Sequence, residues 1–567
     1  MIDSIFVETA QKLTRDFGLS SRFINILAEE RGMQNLTGVL GEYLAPTEKL
    51  ELMLRIEGGE FFAGSKQSTK DLRRKMIERW DEKTREKSYA MRCNSTGKSE
   101  THKARKLSEI IWKKGGSWPR EFMENSGIDS FFAGSKTIHV SYMDYEDVEP
   151  YIRLPQLKDY QIELKAQLKN ALEEQGDEAK SLISLPTGAG KTRIAVEAYT
   201  EYLRPRFFDG KYLIWIAQSE ELCEQAIVTF QQNWQNLEFT ESLRIYRFYG
   251  NHNLQVENMQ GGIVVCSINK MYNALKEKAS DAVRLLIENC GACIIDEAHR
   301  AVTMMYETFY GYSQQIRGKK MFPICGLTAT PGRTDDITKL TDFFVFRLIT
   351  PTLPSRYADK PVDYFRDNEY LARPIHKIIT TDVSYTININ DANAGKLLDE
   401  LQEMMDKAGC KELAKSDKRN KKILETLLRI KDEQTIVYAC TVEHARLLEA
   451  ALIVKGAKAA AITANTPRSK RLFYIEQFRE GEIHILINHS VLTTGFDAPK
   501  TNNIVICRPI FSDILYEQIV GRGLRGEAFG GTKTCNIIDF TDNLGRFGDQ
   551  QSYHRFEDFW DRPTVEE

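Results

Sequence analysis

Long apolar runs are absent from this 567-residue sequence, and no stretch approaches the roughly 18 residues that a membrane-spanning helix needs. The first residues carry acids and lack a basic flank followed by an apolar core, so we expect neither an export signal nor a membrane anchor. Only ten cysteines occur, and their scatter argues for a reducing compartment over a disulfide framework. The sequence therefore predicts a cytoplasmic protein with no membrane partner.

Net charge is almost absent as well. A balance of 77 Lys or Arg against 80 Asp or Glu gives −3, which by itself predicts no polyanionic partner. The distribution is uneven, because residues 66–120 hold 17 Lys or Arg and only 7 Asp or Glu, with Trp80, Tyr89, Trp112 and Trp118 among them. Basic groups with flat rings predict nucleic-acid contact by phosphate neutralisation and base stacking. A solvated helical face with tryptophans in its core would give the same pattern.

The length predicts several domains, since domains usually hold roughly 100 to 200 residues. Residues 1–150 read as a mainly helical accessory domain, a candidate for binding nucleic acid or a protein partner. The hexapeptide FFAGSK occurs in it twice, at residues 61–66 and 131–136. This repetition indicates either a duplicated small unit or two similar turns.

Beyond residue 150, short apolar runs alternate with helical stretches. Ten of these runs predict strands: SLISL, YLIWIA, GIVVCS, ACIID, PICGLT, TIVYAC, AAAIT, IHILIN, NIVIC and NIIDF. Strands that are apolar throughout, each followed by a helix, are typical of parallel sheets covered on both faces. Three prolines interrupt the pattern in residues 351–361. We therefore predict an α/β fold with two tandem sheet domains, 151–350 and 351–545, and a C-terminal tail, 546–567.

A glycine-rich loop follows the first predicted strand of the first sheet. Its sequence, PTGAGKT, precedes a helical stretch, so backbone N–H groups can close around phosphates. The residues expected to bind ATP here are Thr187, Gly188, Ala189, Gly190, Lys191 and Thr192. Lys191 would reach the β and γ phosphates, and the Thr192 hydroxyl would hold Mg²⁺. Leu185 stands where the general pattern has a glycine.

A pair of carboxylates ends the strand ACIID. Asp296 at a strand end can hold the Mg²⁺ shell, and Glu297 beside it can accept a proton from the attacking water. Cys290 and Cys293 form a CxxC just upstream, but no second pair lies nearby, so we expect no metal site there.

These motifs together carry a resemblance to a known family. IIDEAHRA, residues 294–301, resembles the DEAH box of superfamily 2 helicases and translocases, and GLTATPGR and LTTGFDAP resemble further segments of that family. The resemblance implies two RecA-like domains that bind ATP and Mg²⁺ between them. It implies that Gln161 reads adenine, that Gly495 and Asp497 approach the nucleotide, and that His299, Thr328 and Thr330 couple nucleotide state to domain movement. It also implies nucleic-acid contacts by Gln218, Ser267, Thr493 and Thr494.

The segment QIVGRGLR, residues 518–525, supplies the arginines. At helical spacing Gln518, Arg522 and Arg525 would lie on one side and present two guanidinium groups to the γ-phosphate. In this family such arginine fingers stabilise the charge of the transferring phosphoryl group.

The whole pattern is most similar to the group of RadD-like repair helicases, XPB-like enzymes and motor subunits of type I restriction enzymes. RadD-like proteins carry a cysteine-rich zinc element late in the chain, whereas only Cys507 and Cys535 follow Cys440 here, so no zinc is expected. The first 150 residues lie outside the resemblance.

We therefore expect an ATP-dependent motor that acts on nucleic acid, with DNA favoured over RNA, in DNA repair, recombination or defence against foreign DNA. Three alternatives stay open at this point. The motor can translocate on duplex without separating its strands, its track can be RNA, or its ATPase can regulate a nucleic-acid recognition module or nuclease.

Overall fold

A computed structural model describes most of the chain. The described residues are 2–93, 98–134, 145–148, 154–173, 179–207, 209–236, 241–276, 280–298, 304–329, 343–344, 347–358, 360–385, 397–489, 498–544 and 564–566. In these parts of the chain no helix is both long and apolar enough to cross a membrane.

The N-terminal part is helical, as predicted. We call it the helical unit; it contains α1 (Ile2–Arg15), α2 (Ser21–Glu30), α3 (Leu36–Leu40), α4 (Pro46–Glu57), α5 (Gln67–Ile77), α6 (Glu82–Cys93), α7 (Glu100–Glu109) and α8 (Ser117–Ser126), with short 3₁₀ turns at Gly58–Glu60 and Ser130–Ala133. Local sequence explains several ends: the Ser20 hydroxyl accepts a hydrogen bond from Phe23 N, and glycines with positive φ close α3 and α8.

The first sheet, with its helices, forms lobe 1. Its strands are β1 (Tyr145–Val148), β2 (Lys180–Ser184), β3 (Tyr212–Ala217), β4 (Leu243–Phe248), β5 (Gly262–Ser267), β6 (Cys290–Ile295), β7 (Ile324–Thr328) and β8 (Leu348–Ile349), in the order β1-β4-β5-β3-β6-β7-β2-β8. Its helices are α9 (Asp159–Leu172), α10 (Lys191–Phe207), α11 (Glu220–Asn236), α12 (Ile268–Lys276), α13 (Asp281–Glu288) and α14 (Met304–Arg317). β3 and β5 are buried along their whole length, which explains their apolar sequences.

The second sheet, with its helices, forms lobe 2. Its strands are β9 (Arg373–Ser384), β10 (Thr435–Tyr438), β11 (Ala459–Ile462), β12 (Ile485–Asn488), β13 (Asn503–Ile506), β14 (Thr534–Asn543) and β15 (Thr564–Glu566), all parallel, in the order β11-β12-β10-β13-β14-β9-β15. Its helices are α15 (Pro361–Asp367), α16 (Leu397–Met404), α17 (Cys410–Leu413), α18 (Asp417–Arg429), α19 (Val442–Val454), α20 (Arg468–Glu480) and α21 (Asp513–Val520). The predicted fold class, two helix-flanked parallel sheets after a helical region, is confirmed.

Two strands differ from the predicted domain ends. β1 lies inside the predicted 1–150 domain, but it pairs antiparallel with β4 at the edge of the lobe 1 sheet. β15 lies inside the predicted tail, but it pairs in parallel with β9. Both strands are short and lie at the edge of a sheet, so their sequences lack the continuous apolar run that marks a buried strand. Their partners, β4 and β9, also lie outside the ten predicted runs.

Three of the four aromatic residues of the basic region are buried. Trp80, Tyr89 and Trp118 are only 5%, 3% and 3% exposed and belong to the core of the helical unit. The interpretation of these rings as a stacking surface was therefore wrong for these three, because the same helices need apolar side chains to fill their own interior. Part of the charge is structural too: Arg73 is buried and donates to the carbonyls of Phe62 and Ser108.

The two FFAGSK copies meet inside the helical unit. The rings of Phe62 and Phe132 pack edge to face, 5.9 Å apart, and a Cβ built on Gly59 would lie 2.9 Å from Gly134 Cα. Their environments are not equivalent, since Phe61 is buried whereas Phe131 is 47% exposed. The structure describes the second copy only as far as residue 134.

Candidate nucleotide site between the two lobes

The glycine-rich loop connects β2 to α10. Gly188 and Gly190 have positive φ values of 91° and 85°, which glycine adopts without strain. Lys191 is the first residue of α10, and its Nζ donates a hydrogen bond of 3.0 Å to the Leu185 carbonyl in the same loop. The predicted loop is thus a tight turn with its lysine folded over it.

Two neighbouring side chains of α9 hold this loop. Tyr160 Oη donates to the Ala189 carbonyl at 2.7 Å, and Gln161 Nε2 donates to the same oxygen at 3.3 Å. Gln161 Oε1 accepts from Lys158 N at 2.9 Å, and the side chain is only 1% exposed. Gln161 therefore supports the loop. The contact of Gln161 with adenine stays a prediction. Tyr160 also supports the loop, a role that the sequence did not predict.

The two carboxylates follow β6 directly. Asp296 N donates to the Ile216 carbonyl of β3, and Asp296 Oδ1 accepts from Glu297 N at 3.0 Å. Glu297 has a φ of 51°, a left-handed conformation that is rare and strained for a residue with a side chain. Backbone outliers of this kind cluster at functional sites, which fits the predicted role of Glu297 as proton acceptor.

The charges of these groups act on one another. Burial raises the pKa of Asp296 to about 7, and the negative charge of Glu297 adds to this, while Lys191 and Arg522 oppose it. Burial also lowers the pKa of Lys191, against the charges of Glu297, Glu517 and Asp296. Two half-buried carboxylates and a lysine in mutual electrostatic range form a donor set that suits a divalent cation and phosphate oxygens.

Lobe 2 reaches this site through the end of α21. Arg522 is within electrostatic range of both Asp296 and Lys191 of lobe 1. A Cβ built on Gly521 would lie 2.5 Å from Thr187 Cγ2, which shows how closely the two lobes approach. Glu517, on α21, was not predicted as a site residue. Its position directly before Gln518 in the sequence could have indicated it.

Contrary to the prediction, Gln518, Arg522 and Arg525 do not lie on one side of a helix. α21 ends at Val520, so only Gln518, which is 9% exposed, lies on the helix. Arg522 follows in a turn, and Arg525 is held by its backbone: it bridges to Leu371, and its carbonyl accepts from Thr532 N at 3.0 Å. The glycines at positions 521 and 523 in this segment favour an end to the helix there.

The other predicted residues fall into two groups. Thr328 ends β7, is buried, and its carbonyl accepts from Leu185 N at 3.2 Å, so it contacts the phosphate loop through the backbone. Gln218 follows β3 and Ser267 ends β5, and these strands pair at Ala217 and Ser267. The Ser267 hydroxyl accepts from Lys270 N at 3.3 Å and caps α12. His299, Thr330, Thr493, Thr494, Gly495 and Asp497 lie outside the described residues.

No group of three or more His, Cys, Asp or Glu side chains in the described chain is arranged to hold a metal ion. Cys290 and Cys293 are buried, free thiols of β6. That zinc is absent stays a prediction.

Comparison with protein-family models gives two matches. Residues 154–333 match the model described as the res subunit of type III restriction enzymes, and residues 418–527 match the helicase conserved C-terminal domain. The two matches cover most of lobe 1 and the central part of lobe 2, including every described residue of the candidate site.

Similar proteins include IRC3 of Saccharomyces cerevisiae, named as an ATP-dependent helicase, with 25% identity over 68% of this chain and 51% of that protein. Its Schizosaccharomyces pombe namesake, named as a mitochondrial ATP-dependent helicase, has 27% identity over 69% of this chain and 58% of that protein. The chain thus spans little more than half the length of these relatives.

Solved structures with a similar arrangement include a fragment assigned as the HsdR subunit of a type I restriction enzyme from Vibrio vulnificus. It has 20% identity and a TM-score of 0.46, over 74% of this chain and 69% of that one. The Hef helicase domain of Pyrococcus furiosus has 18% identity and a TM-score of 0.42, over 71% of this chain and 98% of that one.

Proposed function

Because the chain belongs to the superfamily 2 helicases, a family of ATP-hydrolysing enzymes, we propose that it couples ATP hydrolysis to movement on DNA. The observation that carries this proposal is the close approach of the two lobes at the phosphate loop, where a Cβ on Gly521 would meet Thr187 and Arg522 of lobe 2 is in electrostatic range of Lys191 and Asp296. ATP held by the phosphate loop would then be contacted from both lobes, so its hydrolysis would change how the lobes sit together.

In the proposed mechanism, Lys191 and Arg522 neutralise the negative charge that develops on the transferring phosphoryl group. Glu297, directly after Asp296 and in a left-handed backbone conformation, accepts a proton from the attacking water. The Thr192 hydroxyl and the Asp296 carboxylate would hold Mg²⁺, which supplies positive charge to the phosphate oxygens when bound. Burial and the neighbouring Glu297 raise the pKa of Asp296, so a bound cation would stabilise the ionised Asp296 carboxylate.

DNA is the favoured track because the lobe 1 match is to a subunit of DNA-cutting restriction enzymes. A role in DNA repair, recombination or defence against foreign DNA, and a cytoplasmic location, belong to this proposal. Buried free cysteines fit a reducing compartment.

ATP hydrolysis tests the proposal directly. It would be measured without nucleic acid and with single-stranded DNA, duplex DNA, forked DNA and RNA. We expect stimulation by one DNA form, with Lys191→Ala and Glu297→Gln each lowering the stimulated rate by at least about 100-fold. Glu288→Gln, at the exposed end of α13, is the matched control and should keep the wild-type rate.

Other outcomes have definite meanings. Stimulation by RNA alone would replace the DNA track by an RNA track. A rate that no nucleic acid changes would contradict the motor. Strand displacement measured beside triplex displacement then distinguishes unwinding from translocation on duplex, and metal-dependent cleavage that survives Lys191→Ala would favour a nuclease.

A further inference from the structure

A cleft of about 560 Å³ lies between the helical unit and lobe 2. One wall is the first FFAGSK copy, with Ser65 and Lys66. The other wall is the turn that follows β11, residues 463–467, together with α20. Neither the nucleotide site nor the matched family models include the first wall.

The cleft is a fixed feature, because the helical unit is docked firmly on lobe 2. Lys470 Nζ of α20 donates to the Ile56 carbonyl at 2.9 Å, and Asn35 Nδ2 donates to the Lys415 carbonyl at 2.9 Å. A Cβ built on Gly32 would lie 2.8 Å from Glu443 Cα. One continuous set of buried apolar side chains extends from the helical unit into α18 and α19.

The acidic residues that line the cleft are already engaged. Glu57 pairs with Arg31 at 2.8 Å, Glu60 pairs with Lys114, and Glu30 accepts from the Ser68 hydroxyl. Glu449 accepts from Ala461 N at 2.9 Å inside lobe 2. The ion pairs therefore offset the negative charges of Glu57 and Glu60.

Two lysines, on opposite walls of the cleft, donate hydrogen bonds to backbone carbonyls and not to carboxylates. Lys66 Nζ donates to the Glu30 carbonyl at 3.0 Å, and Lys470 Nζ to that of Ile56. Among the described residues neither lysine forms an ion pair, and each ammonium retains further N–H donors. Burial lowers the pKa of Lys470 in spite of nearby Glu449, Glu60 and Glu57, so its lost hydration is not fully offset.

The cleft also contains neutral polar side chains that, like its lysines, can bind a phosphate group. Ser65 and Asn465 are exposed at its mouth, and Thr466 lines it. Hydroxyl and amide side chains beside lysines are typical phosphate contacts. The Tyr474 ring lies under Lys470, with Nζ 5.3 Å from the ring centroid, and gives the cleft a flat aromatic surface.

The cleft opens at the edge of lobe 2 where three parallel strands end. β11, β12 and β10 are parallel and end level with one another at Ile462, Asn488 and Tyr438. The turn lining the cleft leaves β11 at this edge, and the LTTGFDAP segment predicted to contact nucleic acid follows β12 in the chain. β11 is the outermost strand of this sheet, and the helical unit packs on α18 and α19 of the same lobe.

We propose that the cleft formed by Lys66, Lys470, Asn465 and Thr466 binds the phosphodiester backbone of a nucleic-acid strand that continues beyond the two lobes. This rests on the proposed motor function, and it gives the helical unit a direct part in holding the track.

Affinity for labelled oligothymidylates of about 6 to 24 nucleotides tests the proposal in the full chain, over a range of salt concentrations. Wild-type affinity should rise with length beyond the stretch that the lobes cover. Lys66→Ala should reduce that additional rise and lower the slope of log affinity against log salt by about 0.7, the value for one lost phosphate contact on a single strand. Lys470→Ala should do the same. Lys87→Ala, an exposed lysine of α6 outside the cleft, should bind like the wild type.

Lys66 is exposed at the cleft mouth, so its removal tests binding without disturbing the interface. Unchanged affinity and salt slope for Lys66→Ala and Lys470→Ala, in a protein whose ATPase responds to DNA, would overturn the cleft assignment and leave the motor intact. If a free phosphate compound were the ligand, inorganic phosphate would raise the melting temperature of the wild type more than that of Lys66→Ala, with strand affinity unchanged; this also overturns the proposal. No response of the wild-type ATPase to any nucleic acid would instead contradict the motor itself.

Discussion

Glu449 is a carboxylate that lobe 2 buries almost completely, at 4% exposure, next to the cleft. Burial raises its pKa from 4.5 to about 7; the Ala461 N–H, Lys470 and Arg446 oppose this rise, and Glu57 adds to it. The folded chain therefore retains a proton on Glu449 at pH values where the unfolded chain has lost it.

The stability of the protein should consequently fall as pH rises from about 4.5 to 7, because the proton-bound folded state loses its advantage as pH approaches the folded pKa. Glu449→Gln keeps an acceptor for Ala461 N and cannot ionise. We expect it to remove this part of the pH dependence and to stabilise the protein at pH 8 by on the order of 1 to 3 kcal/mol. Denaturant unfolding at pH 5 and pH 8 measures the effect.

Glu480→Gln, at the exposed end of α20, is the control and should follow the wild type at both pH values. Equal pH dependence of wild type and Glu449→Gln would show that Glu449 titrates normally.

Single residues also show what the sequence could and could not predict. The places of Lys191 at the start of a helix and of Asp296 and Glu297 after a strand were predictable, because short contiguous motifs determine them. The burial of Trp80 and Trp118 was not, since a tryptophan among lysines has the same sequence signature whether it faces solvent or a helix interior. The core decides between them, and the core is a property of the folded helical unit.

At the scale of elements, apolar length explains most of the success. All ten predicted runs contain a strand, because a strand buried on both faces needs apolar residues at every position. β9 was missed because its burial is mixed along its length, and β1 and β15 are short edge strands. The helix predicted over QIVGRGLR was too long, because residue spacing alone does not show that α21 ends before Gly521.

Gly521 also allows this element to contact the phosphate loop. In Gly521→Ala the new methyl would meet Thr187, so we expect the lobes to close less tightly around ATP. The stimulated ATPase rate should fall by at least about tenfold, equal to roughly 1.4 kcal/mol, with little change in melting temperature. Steady-state ATPase and thermal unfolding on the same samples provide both readouts.

Gly311→Ala gives the matched control for this substitution. Gly311 lies in the middle of α14 with no atom within 4 Å of a built Cβ, so alanine should be tolerated and slightly stabilising. If Gly521→Ala kept the wild-type rate, the close contact between the lobes would not be required for turnover.

At the scale of the whole molecule, the attachment of the helical unit to lobe 2 is the feature that no sequence pattern indicated. Its contacts join residues about 400 positions apart, such as Asn35 with Lys415 and Glu42 with Lys455. Small residues make the approach possible: a Cβ built on Gly38 of α3 would lie 2.1 Å from Asp417 Oδ2. Contacts of this kind depend on three-dimensional complementarity, for which local periodicity has no signal.

This attachment predicts how the molecule moves. Since the helical unit shares a buried core with lobe 2, it should travel with lobe 2 as one body when ATP draws the lobes together. Fluorescent labels at Tyr43 of the helical unit, Lys407 of lobe 2 and Met304 of lobe 1 would report this, because all three side chains are well exposed. On addition of a non-hydrolysable ATP analogue, the distance between positions 43 and 304 should change, whereas that between 43 and 407 should not. A change of similar size in both distances would mean that the helical unit moves independently, and the cleft proposed to hold the strand would then open and close within each cycle.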